Sequence, residues 1–234
     1  MVRMNPFKKL IDFIFPKRCI FCNIPIYSGK PYCEQCISLI PFAEDVCPVC
    51  AKNPCVCSRK ESAFSAVAAV FFYELGAENA IRQLKFHERI SYAPPLADYL
   101  YHKLAECDFY SELDCIIPVP MTKKAEYERG YNQSVLLAEE LAKKSGIPTY
   151  AGVLAKKKDT KKQHDLGQKE RQENLQGAFQ VVDQKMVAGK TVLLCDDVYT
   201  TGATFHECAR TLLADGARKV FCIAVATTRK ANLS

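Results

Sequence analysis

From residue 66 onward the chain alternates short apolar runs with longer stretches of helical spacing. Residues 66–73 (AVAAVFFY), 115–119 (CIIPV), 192–194 (VLL) and 220–226 (VFCIAVA) are continuous apolar runs of strand length. Such runs mark strands buried on both faces of a parallel sheet. Between them the period changes. Ala80, Ile81, Leu84 and Phe86 share one helical face, and Leu96, Leu100 and Leu104 share another behind a Pro94-Pro95 start. Val135, Leu136, Ala138 and Leu141 line a third, with Gly146 placed to close it, and residues 205–213 are spaced as a fourth. Strand and helix in alternation predict an α/β domain, a parallel sheet flanked by crossover helices. Ahead of residue 66 the pattern is different, with cysteine pairs and turns in place of apolar faces. Residues 58–62 are polar and suit a linker, so the chain divides into a small module over residues 1–60 and the α/β domain over 61–234.

The sharpest chemistry lies in residues 191–205, TVLLCDDVYTTGATF. A buried strand here delivers Asp196 and Asp197 at its C-terminal end, a tight hydroxyl-rich turn follows, and a helix begins. In open α/β sheets ligands bind at that strand-to-helix edge. Backbone N–H groups of the turn and the positive end of the next helix suit a phosphate. Gly202 allows close backbone approach, and Thr200, Thr201 and Thr204 add hydroxyl donors. The paired aspartates would accept hydrogen bonds from a vicinal diol, or sit near a divalent cation. The ordinary reading of DD or TTG alone is a polar turn between a core strand and a surface helix; the whole string is far more specific. Just upstream, Gly189-Lys190-Thr191 imitates the end of a nucleotide P-loop. That pattern needs a glycine where Gln184 stands, and here the GKT precedes a strand instead of following one.

Of the 13 cysteines, eight fall in tight pairs: Cys19 and Cys22, Cys33 and Cys36, Cys47 and Cys50, Cys55 and Cys57. Pairs of this kind are zinc knuckles, whose turn points two thiolates at one tetrahedral metal. Two structural zinc sites of four thiolates each are expected. The simplest pairing is sequential, and an interleaved one is the alternative. A disulfide framework and an iron–sulfur cluster are the competing uses of these residues. About forty residues cannot bury enough core to fold unaided, so metal would supply the stability. Phe7, Leu10, Ile11, Ile14 and Phe15 share a helical face, but Lys8, Lys9 and Asp12 interrupt it. It is too short to span a membrane and lacks the layout of a secretory signal, so a reducing cytoplasm is the expected compartment.

The formal net charge is +6. Each four-thiolate zinc site adds about two negative charges, which removes most of that excess and with it any global case for nucleic-acid binding. Local clustering is more telling. Residues 156–174 have weak periodicity and read as a mobile loop, in which Lys156, Lys157, Lys158, Lys161 and Lys162 crowd together. A solvated basic loop, a lid over pyrophosphate and a contact to a nucleic-acid backbone all fit it.

The string DDVYTTGAT at residues 196–204 resembles the phosphoribosyl pyrophosphate (PRPP) loop of type I phosphoribosyltransferases. As a whole the chain resembles the ComF-type proteins, in which a cysteine-rich zinc module precedes a phosphoribosyltransferase-like domain. That likeness covers nearly the full chain. It rests on the cysteine pairs, IIPVP at residues 116–120, ERGYNQ at 128–133, DDVYTTGAT, and the dispersed Gln163, Leu166, Arg171, Asn174 and Phe179. It implies a type I phosphoribosyltransferase-like sheet that binds PRPP with Mg²⁺. Asp196 and Asp197 would hold the ribose hydroxyls, and Thr200, Thr201, Gly202, Ala203 and Thr204 the 5′-phosphate. Val119, Pro120, Met121 and Thr122 would form the pyrophosphate loop, with Arg129 supplying charge for the leaving group and counted with the two aspartates as catalytic. The family is linked to natural competence, the uptake and processing of transforming DNA, often alongside a DNA helicase. A fold does not fix a function. The rival is a non-catalytic module that binds single-stranded DNA, or regulates, with PRPP only as a ligand; its contacts would involve the five lysines, with Tyr127 and Tyr131 nearby. A purely structural adaptor leaves DDVYTTGAT unexplained.

Overall fold

The apolar runs become the centre of a parallel sheet in the computed structural model, which describes residues 16–44, 46–47, 49–51, 62–86, 89–157 and 175–229. The strands are β1 (Ala66–Phe72), β2 (Cys115–Pro118), β3 (Leu154–Lys156), β4 (Phe179–Val181), β5 (Thr191–Tyr199) and β6 (Lys219–Thr227). Four of them form one sheet in the order β1-β6-β5-β2, with every neighbouring pair parallel. The helices are α1 (Glu34–Leu39), α2 (Leu75–Phe86), α3 (Ala93–Ala105), α4 (Lys123–Arg129), α5 (Gln133–Ser145) and α6 (Ala203–Ala214). No helix among the described residues is long and apolar enough to cross a membrane.

Both faces of the sheet are covered. On one, Leu84 of α2, Leu96 and Leu100 of α3 and Leu137 and Leu141 of α5 pack with Leu193, Cys195, Phe221 and Ile223. On the other, Phe205, Cys208 and Leu212 of α6 pack with Val192, Leu194 and Cys222, together with Leu154 and Phe179. Double coverage is why the strands read as unbroken apolar runs.

Three local expectations shift. Phe86 ends α2 but is 65% exposed, because the helix turns its last residue out of the core. In α5 the fully buried face is Leu137, Ala138 and Leu141, while Val135 is only half-buried. The positions nearest its start, Gln133 and Ser134, are polar and nonetheless buried. Strand β5 runs past the aspartates to Tyr199, held by β6 through a Tyr199–Thr227 pairing. The short antiparallel pair β3–β4, with three residues a strand, carries too little periodicity to be read from sequence.

The cysteine-rich segment is welded to this domain. Phe42 pairs antiparallel with Phe71: the Ala43 N–H donates to the Val70 carbonyl at 2.8 Å, and the Phe72 N–H to the Pro41 carbonyl at 2.8 Å. This covers the β1 edge, which would otherwise present unpaired backbone groups. Cys19, Ile20 and Phe21 belong to the same core as α2 and α3. The Asn79 amide of α2 donates to the Phe21 carbonyl at 2.6 Å, and a Cβ at Gly76 would lie 2.7 Å from that of Phe21. The Phe7–Phe15 face, Cys55, Cys57, Lys158, Lys161, Lys162, Gln163, Leu166, Arg171 and Asn174 lie outside the described residues.

Candidate functional site: an acidic edge above the sheet

Strand β2 stops at Pro118, opposite Cys195, with a last bond from the Val119 N–H to the Cys195 carbonyl at 2.9 Å. Strand β5 continues. Asp196 therefore lies just past the end of β2, at the carboxyl end of the sheet where such folds bind ligands. The alternation of β5 also slips there. Leu193 and Cys195 face one core and Val192 and Leu194 the other, yet Val198 packs on the first and Tyr199 on the second.

Each carboxylate is tethered by one oxygen. Asp196 Oδ1 accepts from the Ser134 hydroxyl at 2.7 Å and from the Asp197 N–H at 2.9 Å. Asp197 Oδ1 pairs with Lys85 Nζ at 2.9 Å. Asp197 is 3% exposed, and its Oδ2 is buried without a hydrogen-bond partner among the described residues. A carboxylate oxygen left bare in the interior is costly unless something else donates to it. Burial and the neighbouring Asp197 push the Asp196 carboxyl up to about 7, against the pull of Ser134 and Lys85.

The phosphate-type turn adjoins this pair. Gly202 sits at φ +80° as the residue before α6, and the His206 N–H donates to its carbonyl at 2.8 Å. A Cβ at Gly202 would stand 2.4 Å from the Tyr199 hydroxyl, so glycine is required here by conformation and by space. Thr201 Oγ1 accepts from the Ala203 N–H at 3.4 Å. Ala203 and Thr204 open the first turn of α6, at the positive end of that helix.

The ERGYNQ segment joins the loop after β2 to the aspartates. Asn132 caps α5: its Oδ1 accepts from the Ser134 N–H at 2.9 Å while its Nδ2 donates to the Val119 carbonyl at 3.1 Å. Ser134 then reaches Asp196, so Val119 and Asp196 are three hydrogen bonds apart. Pro120, Met121 and Thr122 are half-buried in the same loop, and Thr122 caps α4 through the Ala125 N–H at 3.3 Å. Arg129 donates to Gln133 and stands 5.2 Å from the Phe86 ring centre, and the Tyr131 hydroxyl donates to the Leu84 carbonyl. The structure thus gathers Asp196, Asp197, Val119, the turn and the ERGYNQ residues at one edge. Lys156 Nζ lies 5.8 Å from the Phe179 ring centre in the β3–β4 pair, and Lys157 follows it. The imitation P-loop is at the opposite end of β5, where Lys190 lies over the Tyr150 ring at 4.6 Å.

Lys85 and Ser134 escaped the sequence reading. Lys85 looks like any basic residue in the last turn of an amphipathic helix, and Ser134 like a helix-start residue.

At the other end of α2, Cys19, Cys22, Cys33 and Cys36 bring their sulfurs within 4.8 Å of one another. Cys22 and Cys33 sulfurs are 3.8 Å apart. A tetrahedron with Zn–S bonds of about 2.3 Å has edges of roughly 3.8 Å, whereas a disulfide needs about 2.05 Å. The donor set fits zinc. Burial raises the Cys19 thiol, but N–H groups of Cys22, Cys33 and Phe21 outweigh it and bring it down to about 7, toward the thiolate a metal needs. Of the second set, Cys47 accepts from the Val49 N–H at 3.4 Å and Cys50 is half-buried.

Comparison with known proteins agrees with both halves. A double zinc ribbon domain matches residues 10–66, and a phosphoribosyl transferase domain matches residues 132–233. Fold and site together define a phosphoribosyltransferase-like α/β domain joined to a zinc ribbon. The chain is 30% identical over 221 residues to DNA utilization protein YhgH of Salmonella typhimurium strain LT2, covering 89% of this chain and 96% of that protein. It is 28% identical over 224 residues to competence protein F of Haemophilus influenzae strain Rd, covering 88% and 95%. A further match, 38% over 101 residues, is competence protein ComFC of Bacillus subtilis strain 168, covering 43% and 39%. The chain belongs to this ComF family.

Proposed function

We propose that the chain binds PRPP with Mg²⁺ at the acidic edge and transfers its phosphoribosyl group in the handling of incoming DNA, within a reducing cytoplasm. The observation that carries this reading is the pair of carboxylates tied down through Oδ1, one with a bare buried Oδ2, beside a glycine turn at a helix start. Two adjacent hydroxyls of a ribose would donate to the pair. The N–H groups of the turn, with Thr200, Thr201 and Thr204, would take the 5′-phosphate.

In the transfer, the bond from ribose C1 to pyrophosphate breaks, the electron pair leaves with pyrophosphate, and a nucleophile closes on C1. Mg²⁺ would neutralise charge on the leaving group. The chain's part is positioning and electrostatics: Asp196 and Asp197 fix the sugar, and the backbone of Val119, Pro120, Met121 and Thr122 borders the leaving group. Arg129 adds positive charge at the same edge. The names of the relatives above supply the link to competence and DNA use, and a competence helicase is the partner class they suggest.

A second reading keeps PRPP as a ligand without turnover and adds single-stranded DNA. Tyr127 favours it, 90% exposed on α4 near the exposed Lys123 and Lys124, as a stacking residue beside basic side chains would be. Lys156, Lys157, Lys158, Lys161 and Lys162 are the further basic side chains that this reading calls on, the last three outside the described residues. Measuring pyrophosphate release from PRPP with bases, amines, nucleotides and DNA ends separates the two. Release with one acceptor class supports transfer. PRPP binding with no release by any acceptor supports the ligand reading, and no PRPP binding overturns both.

A further inference from the structure

The cation next to the acidic pair comes from a helix that no motif marks. Lys85 sits in the last turn of α2, its side chain 21% exposed, and its ammonium lies 2.9 Å from Asp197 Oδ1. Two neighbouring carboxylates in a poorly solvated pocket resist ionising together, and a lone buried charge is expensive. The Lys85 ammonium gives Asp197 an opposite charge at contact distance and eases the cost for Asp196, whose carboxyl is still pushed up to about 7 by burial and by Asp197. The position is well determined. The helix that carries Lys85 is fastened at Gly76 and Asn79 to Phe21 of the zinc segment, and the Leu84 carbonyl accepts from Tyr131 of the ERGYNQ segment.

We propose that Lys85 is a positioning residue for the acidic pair: its ammonium anchors Asp197 through Oδ1 and so leaves the bare Oδ2 for a ligand hydroxyl. This rests on the PRPP reading of the site and adds to it a residue and a direction of action. The other ionisable groups around the pair do not replace it. Tyr73 stands close to Lys85, with Glu78 and Arg82 beyond it. The thiols of Cys195, Cys208 and Cys222 are near enough to feel the charge of Asp196, and burial holds all three above the ordinary thiol range. Lys85 itself is held above its ordinary value, since Asp197 and Asp196 outweigh the effect of its own burial.

The test is PRPP·Mg²⁺ affinity from pH 6 to pH 9 for wild type, Lys85→Met, Lys85→Arg, Asp197→Asn and the double variant Lys85→Met/Asp197→Asn. Zinc content and circular dichroism report folding for each. At pH 7, Lys85→Met should bind at least ~10-fold more weakly, because Asp197 loses the partner that fixes its carboxylate. Lys85→Arg restores a cation at that place and should stay within ~3-fold of wild type. Because Lys85 acts through Asp197, the double variant should lose no more than Asp197→Asn alone. No loss in Lys85→Met, or a loss that Lys85→Arg does not rescue and that persists in full on the Asp197→Asn background, overturns the inference while leaving the site intact. Wild type that fails to bind PRPP at any pH rejects the site reading, and the role of Lys85 falls with it.

Discussion

The four thiols at Cys19, Cys22, Cys33 and Cys36 come from eighteen consecutive residues, whereas the acidic edge draws on Lys85, Val119, Asn132, Ser134, Asp196 and Asp197, spread over more than a hundred. The zinc knuckle is a local structure, fixed by spacing and by the N–H groups of its own turns. The acidic edge is a tertiary one: its strand supplies two carboxylates, but their orientation is set by side chains from α2 and α5. Local sites survive as sequence patterns, and tertiary ones leave only their local fragment visible. The two are nonetheless joined, since α2 rests on Phe21 at one end and reaches Asp197 at the other.

If that join is real, removing the metal should have the largest effect. Structural zinc in small fingers is worth about 10–16 kcal/mol of folding free energy. A strong chelator, or Cys33→Ser, should release at least one zinc per chain by elemental analysis. It should also lower the melting temperature of the whole chain, because Cys19, Ile20 and Phe21 are part of the main core. Loss of zinc with unchanged melting would make the knuckle an independent appendage.

Gly202→Ala sharpens the other half. Its φ of +80° and a Cβ 2.4 Å from the buried Tyr199 hydroxyl should cost about 1–3 kcal/mol and distort the turn. The measurement is PRPP affinity beside thermal stability, with Tyr199→Phe added to remove the nearest of the clashing atoms. Recovery of stability without recovery of binding would mark the backbone conformation of the turn as the essential feature. Wild-type binding by Gly202→Ala would remove the turn from the site.

A smaller effect follows from the Asp196 carboxyl, held at about 7 against an ordinary 3.8 by burial and by Asp197. The folded chain keeps this proton where the unfolded chain has lost it, so the group's contribution to stability declines as pH rises from about 4 to about 7. Binding runs the other way, because an ionised carboxylate is the better acceptor for a hydroxyl. PRPP affinity should strengthen as pH rises through 7, by at most about tenfold per unit below it. Titration calorimetry at pH 6 and pH 8, with Asp196→Asn as the reference, checks this. An Asn variant with the same pH dependence as wild type would assign the proton elsewhere.

Much of the fold was legible because its physics is local. Val192, Leu193 and Leu194 announce a strand buried on both faces, and Pro94-Pro95 opens α3 where expected. The aspartates, the turn and the first two cysteine pairs were legible because each is a contiguous string. The slip in alternation across Asp196 and Asp197 was not, since it arises where β2 ends and β5 continues. Nor were Lys85 and Ser134, whose roles exist only once α2 and α5 have packed against the sheet. Phe86 misled in the same way: its spacing says core, and its neighbour Arg129 gives it a place at the surface.

The most direct test of the central claim is calorimetric titration of PRPP·Mg²⁺ into wild type and into the isosteric double variant Asp196→Asn/Asp197→Asn. Hydrogen bonds to charged groups contribute about 1.5–3 kcal/mol each. Wild type should bind saturably, and the variant, with its zinc and circular dichroism retained, should bind at least ~100-fold more weakly. A folded double variant that binds PRPP as tightly as wild type would contradict the account.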